Sequence, residues 1–137
     1  SCTQRCATSA GSRPATTNAM LAVFDDAATM RHALAFEAAP ARAEAAEGLI
    51  GADAADAIAK LCATIVIDPA ELAEEAALAG TLAIPLVARL RAALPEAPAR
   101  ALHNGATSQD VADTVLSCQI RAASTLFDSD LRRVATA

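Results

Sequence analysis

The segment from Val111 onward constrains the fold more than any other, because it carries two apolar rows at helical spacing. Val111, Val115, Cys118, Ala122 and Leu126 form one row; Leu116, Ile120, Ala123 and Phe127 form the other. A helix apolar over that much of its circumference needs burial on more than one side. The shorter helical patterns before it cannot supply that cover, so further partner helices are expected from additional sequence or from another subunit. Self-association of the isolated chain follows.

Composition says what kind of packing is available. Apolar residues make up 54% of 137 positions, most of them alanine, with three Phe and no Trp or Tyr. Helices packed closely through small side chains are therefore expected, not an aromatic core. An all-α fold is the reading. The formal net charge of -5 argues against a nucleic-acid partner, which needs a basic face. No apolar run approaches the roughly 18 residues of a membrane span. The four cysteines, Cys2, Cys6, Cys62 and Cys118, show no zinc-like pairing, and no metal site is expected. Cys62 and Cys118 fall in helical patterns as small apolar filler, and a reducing cytoplasm is the simplest setting. No secretory signal is visible, and a start at Ser1 suggests a fragment or a processed chain.

Residues 1–18, rich in Ser, Thr, Ala and Arg, lack any period and read as a weakly ordered leader. A helix is predicted from Asp25 or Asp26, with Met30, Leu34, Ala38, Ala41, Ala45 and Leu49 on one face and a stop at Gly48. Pro40 lies inside it, where the lost hydrogen bond to the Phe36 carbonyl predicts a kink instead of two helices. Glu37 beside the apolar row is read as one half of a structural pair, and His32 as a surface or packing residue. Asp53 is the expected cap of a second helix, after which Ile65-Val66-Ile67 is ambiguous between frayed helix and extended chain. Asp68-Pro69-Ala70-Glu71 is a strong helix start, closed by Gly80. A short helix begins near Pro85, and Pro95 and Pro98 predict a loop leading to His103.

The stretch His103-Asn104-Gly105-Ala106-Thr107-Ser108-Gln109-Asp110 carries the chemistry. Thr107 or Ser108 can cap the final helix, Asp110 answers the helix dipole in the first turn, and Gly105 permits a sharp turn. Unpaired N–H groups and nearby hydroxyls suit a carboxylate or phosphate, with His103 at the rim to give a proton or positive charge. The plainer reading is an ordinary capped helix with a solvated histidine. Arg100 could add positive potential, but a solvated loop arginine is the simpler assignment.

From His103 through Thr114 the pattern resembles the first signature region of the bacterial 3-carboxy-cis,cis-muconate cycloisomerases, members of the fumarase/aspartase superfamily. Ala79-Gly80-Thr81-Leu82-Ala83-Ile84-Pro85-Leu86-Val87 resembles the segment before that signature, and Phe36-Glu37-Ala38-Ala39-Pro40-Ala41-Arg42-Ala43 resembles the first long helix. The likeness runs from about residue 19 to 137. Two positions depart from it: Pro40, where the family usually has leucine, and Asn104, where a bulky apolar residue is common.

The resemblance implies an N-terminal helical domain over 19–106 and the start of a central helical bundle over 107–137. It implies an enzyme that lactonises 3-carboxy-cis,cis-muconate in protocatechuate degradation, the β-ketoadipate pathway, by acid/base chemistry without a cofactor. By the same resemblance His103 is a catalytic residue that binds or transfers a proton, Thr107, Ser108 and Gln109 contact a substrate carboxylate, and Gly105, Asp110, Asp113 and Thr114 support them. The substrate is a small di- or tricarboxylate, and the parent is a cytoplasmic homotetramer. The family's downstream Gly-Ser-Ser loop is not in this sequence, so the chain alone is expected to be inactive. An adenylosuccinate-lyase-like enzyme eliminating fumarate and a non-catalytic helical assembly module stay open as alternatives.

Overall fold

The computed structural model describes residues 16–136, and these form seven α-helices with no strand among them. The leader's lack of order and the Cys2/Cys6 readings lie outside the described residues, apart from the leader's last positions. Asn18 already opens α1 (Asn18–Val23), which Thr17 caps by accepting from the Met20 amide at 3.2 Å. So short an element carries no readable period in the sequence.

Helix α2 (Asp26–Ala46) is the spine. Asp25 caps it by accepting from the Ala28 amide at 2.7 Å, and Gly48 follows its end with φ +73°. Its buried face is Ala28, Met30, Ala33, Leu34, Glu37, Ala38 and Ala41. Leu49 does not join that face: past Gly48 the chain has left the helix, and the side chain is 72% exposed. Pro40 sits within α2 without dividing it, held between turns that pack against α3 (Ala52–Thr64). With alanines on the contact face, α2 can lie close to α3, whose buried residues are Ala55, Ile58 and Cys62.

Three local expectations need correction. Gly51, not Asp53, is the N-cap of α3; Asp53 is placed in the first turn, where its charge still answers the helix dipole. Gln119, not Cys118, continues the buried face of the last helix after Val111 and Val115. Pro95 and Pro98 do not force a loop: they frame α6 (Glu96–Ala101). Pro95 is its N-cap and Pro98 falls in its first turn, where the amide would have no intrahelical partner in any case. Pro85 uses the same allowance in the first turn of α5 (Ala83–Ala93).

Helix α4 (Pro69–Ala79) begins as expected, with Asp68 accepting from the Ala70 amide at 2.9 Å and Gly80 ending it at φ +72°. An extended link from Ile65 precedes it. Leu72, Leu86, Leu90, Leu102 and Ile58 are fully buried and join the alanine face of α2 in one core. Helix α7 (Ser108–Ala135) crosses that core and touches α1, α2 and α5. Its N-terminus and the preceding turn are thereby fixed against the rest of the chain.

Candidate functional site

Leu102 anchors the turn that leads into α7. Its side chain is fully buried, and its carbonyl accepts from Arg91 Nη2 at 3.0 Å. The chain then reverses through His103 at φ +59° and Gly105 at φ +66°. Glycine accepts that left-handed conformation freely; a histidine rarely adopts it, and the surrounding packing has to enforce it.

Thr107 is the N-cap of α7, and with Asp110 it makes a complete reciprocal capping box. The Thr107 amide and hydroxyl each donate to Asp110 Oδ2 at 2.7 Å, while the Asp110 amide donates to Thr107 Oγ1 at 3.3 Å. The Thr107 hydroxyl and amide hold the Asp110 carboxyl below its ordinary range. One hydroxyl of the expected anion corner is thus already engaged with a carboxylate belonging to the protein. Gln109 likewise turns aside, its Nε2 donating to Asp113 Oδ1 at 2.7 Å. Thr114 is exposed.

Ser108 faces differently. It is half-buried and lines a cavity of ≈ 230 Å³ with Thr29, Thr81, Val111 and Gln119. Gln119, itself buried, donates to Thr29 Oγ1 at 3.0 Å and so gives this mostly apolar cavity a fixed polar wall. A larger cavity of ≈ 550 Å³ lies between α2 and α3, lined by Met30, Leu34, Arg31, Arg42 and Cys62 among others, and no corner residue reaches it. There burial raises the Cys62 thiol to about 11, so it is an inert apolar filler.

The histidine is not solvated. His103 Nδ1 lies 2.8 Å from Glu37 Oε1, and the two side chains are 15% and 1% exposed. Burial pushes the Glu37 carboxyl up, opposed by the neighbouring His103 and Arg91. Its second oxygen, Oε2, is buried without a hydrogen-bond partner. The structural pair expected of Glu37 therefore exists, and its partner is the site histidine 66 positions away. Local spacing cannot show such a contact; the available signal was an acid set among Leu34, Ala38 and Ala41 on a buried face. Arg100 is a surface residue bound to Glu96 at 2.7 Å, its side chain 73% exposed. Among the described residues no three His, Cys, Asp or Glu side chains gather as a metal centre, and no helix is long and apolar enough to cross a membrane.

Comparison with known proteins gives this corner a context. The chain is 49% identical over 118 residues to a 3-carboxy-cis,cis-muconate cycloisomerase of Bradyrhizobium diazoefficiens, covering 84% of this chain and 26% of that protein. It is 46% identical over 119 residues to the enzyme of the same name from Pseudomonas aeruginosa, covering 85% and 26%. It is also 37% identical over 102 residues to an N-acetyl-S-(2-succino)cysteine lyase of Enterococcus italicus, covering 74% and 22%. No family model matches the chain, and no solved structure does. The all-helical fold is consistent with the fumarase/aspartase superfamily, to which the names of these relatives point. Within it, the chain belongs with the 3-carboxy-cis,cis-muconate cycloisomerases. It spans about a quarter of the length of the curated relatives it matches.

Proposed function

We propose that this chain is the N-terminal part of an enzyme that lactonises 3-carboxy-cis,cis-muconate. The observation that carries the reading is the 49% identity over 84% of the chain. A match that long within 137 residues takes in 103–114 wherever it starts. In the reaction a substrate carboxylate oxygen adds to the substrate's own double bond: one C–O bond forms, the π bond breaks, and an acid delivers a proton to the adjacent carbon. Electron density builds on that carbon and spreads into a neighbouring carboxylate before protonation. Fixed donors near the α7 N-terminus suit such charge.

In this reading His103 binds substrate or serves as acid/base, and Ser108 donates to a carboxylate from the wall of its cavity. Gln109 contributes after release from Asp113. Thr107, Asp110 and Gly105 hold the corner in shape, with Asp113 and Thr114 behind them. The exposed apolar side of α7 meets the remainder of the parent enzyme, a cytoplasmic homotetramer of the β-ketoadipate pathway working without a cofactor.

The test is Ser108→Ala in the full-length parent. One charge-assisted hydrogen bond contributes about 1.5 to 3 kcal/mol, so substrate binding should weaken by about tenfold or more. Turnover of adenylosuccinate in place of 3-carboxymuconate would overturn the substrate assignment. An unchanged variant would reduce the corner to a helix cap.

A further inference from the structure

Among the described residues Glu37 is the one fully buried carboxyl side chain of the core, and nothing in the packing of α2 requires it. Its neighbours on that face are Ala33, Leu34, Ala38 and Ala41, among which an apolar side chain would pack without an orphaned oxygen. A buried carboxylate with Oε2 unpartnered is unfavourable on stability grounds alone. Its single hydrogen bond goes to His103, a residue held in a left-handed conformation that few side chains adopt. Two unfavourable local choices thus meet at one 2.8 Å contact. Such coincidences mark places where geometry serves something other than stability.

The contact has a definite chemical consequence. Where Glu37 is ionised, as the neighbouring His103 and Arg91 favour, its carboxylate can only accept, so Nδ1 carries the hydrogen. The neutral ring then presents a bare Nε2, and the protonated ring presents Nε2–H. A histidine side chain in water prefers the other neutral tautomer, with the hydrogen on Nε2. Arg91 on α5, Cys62 on α3 and Asp110 on α7 are the ionisable groups whose charges couple to the pair. Arg91 is occupied with the Leu102 carbonyl and Asp110 with Thr107, which leaves Glu37 as the ring's hydrogen-bonded partner.

Resting on the cycloisomerase reading, we propose that Glu37 is a positioning residue, whose carboxylate fixes the tautomer and orientation of His103 so that Nε2 is the atom offered to substrate. The role matches that of partners behind a reacting histidine in general: they set which nitrogen carries the proton and keep the ring from turning.

Two measurements test it separately. In the 137-residue chain labelled with 15N, with His32→Gln removing the second imidazole, long-range ring correlations should report the Nδ1–H tautomer for neutral His103. The Nε2–H tautomer would overturn the proposal, whatever the enzyme's substrate. In the full-length parent, Glu37→Gln keeps the volume and removes the charge. We expect kcat to fall by about ten- to hundredfold with KM changed less than about threefold. A folded variant with unchanged kcat would overturn the proposal, as would one losing only KM. Absence of lactone formation by the wild-type parent would instead fail the cycloisomerase reading. The tautomer measurement would then decide the positioning by itself, as it does if Glu37→Gln does not fold.

Discussion

The two halves of α7 share one helix and live in different surroundings. In the first half Val111, Val115 and Gln119 are buried against the core, and a complete capping box fixes the start. In the second half Phe127, Leu131 and Val134 are 60%, 51% and 75% exposed. That half is laced by surface pairs, Arg132 to Asp128 at 2.8 Å and Arg133 to Asp130 at 3.1 Å, which contribute little in water. Its helicity is propagated from the anchored half, since extending an existing helix is far easier than starting one. Helix formation and helix burial are therefore separable here. The outer row, Leu116, Ile120 and Phe127, is left exposed by the described residues.

The sharpest way to break that contrast is to remove core beneath the anchored half. Leu90 is fully buried in the cluster that receives Val111 and Val115. Leu90→Ala should destabilise the chain by about 2 to 5 kcal/mol, read as a lower urea midpoint. Loss of helicity should include the second half of α7, because its order depends on the first. A variant that melts only the core helices and leaves the tail helical would show that the second half is self-sustaining.

How much of this was legible in sequence follows the range of each interaction. Asp25, Asp68, Gly48, Gly80, Thr107 and Asp110 act within a few residues of themselves, so caps and stops could be placed from spacing alone. The two apolar rows of α7 announced a long helix, and of the two the row of Val111 and Val115 is the one turned to the core. Pro95 and Pro98 misled because proline breaks a helix interior yet suits its first turn, and the residues between them gave too short a pattern to tell which applied. Gln119 was missed for a related reason: its burial depends on Thr29, 90 positions earlier, which accepts its hydrogen bond. The turn and the cap between His103 and Asp110 were placed from sequence, but how their side chains divide was not. Whether a hydroxyl faces a cavity, as at Ser108, or a neighbouring carboxylate, as at Thr107, is decided by rotamer and packing, and by contacts such as Glu37 with His103 that cross the whole domain.

A smaller effect belongs to the cap. Thr107→Ala removes both the acceptor for the Asp110 amide and the hydroxyl that donates to Asp110, and should lower stability by about 1 kcal/mol. Amide exchange should quicken in the first turn of α7 and hardly change beyond Gln119. The same box predicts a pH dependence. Asp110 has a lowered folded-state value, so the stability it contributes is present above the ordinary carboxyl range near about 3.9 and is lost as pH falls through that lowered value. Relative to the intrinsic rate, exchange in the first turn should therefore quicken on acidification below about pH 4 in the wild type, and Thr107→Ala should blunt that response. First-turn exchange that ignores both the substitution and the acid would mean that packing of Val111 alone anchors the helix.

The smallest effect on stability should come from the outer half, where the largest effect on association is expected. Phe127→Ser and Leu131→Ser remove apolar surface that is already in water, so neither loses core burial; the change in the urea midpoint should correspond to about 0.5 kcal/mol or less for each. Yet these side chains continue the outer row begun by Leu116 and Ile120, and Met20 from α1 joins Phe127 and Leu131 around a shallow cavity of ≈ 370 Å³. An apolar strip of this kind in water drives chains together through the area it removes from solvent. Light scattering of the wild-type chain should therefore show mass rising with concentration, and the double substitution should reduce that rise while leaving the circular dichroism of the monomer nearly intact. A wild-type chain that stays monomeric across a wide concentration range would mean that the strip is too narrow to associate by itself. A double variant that associates as strongly as the wild type would move the contact to another apolar surface, such as Leu78 or Val66, and would leave the outer row of α7 without a role in self-association.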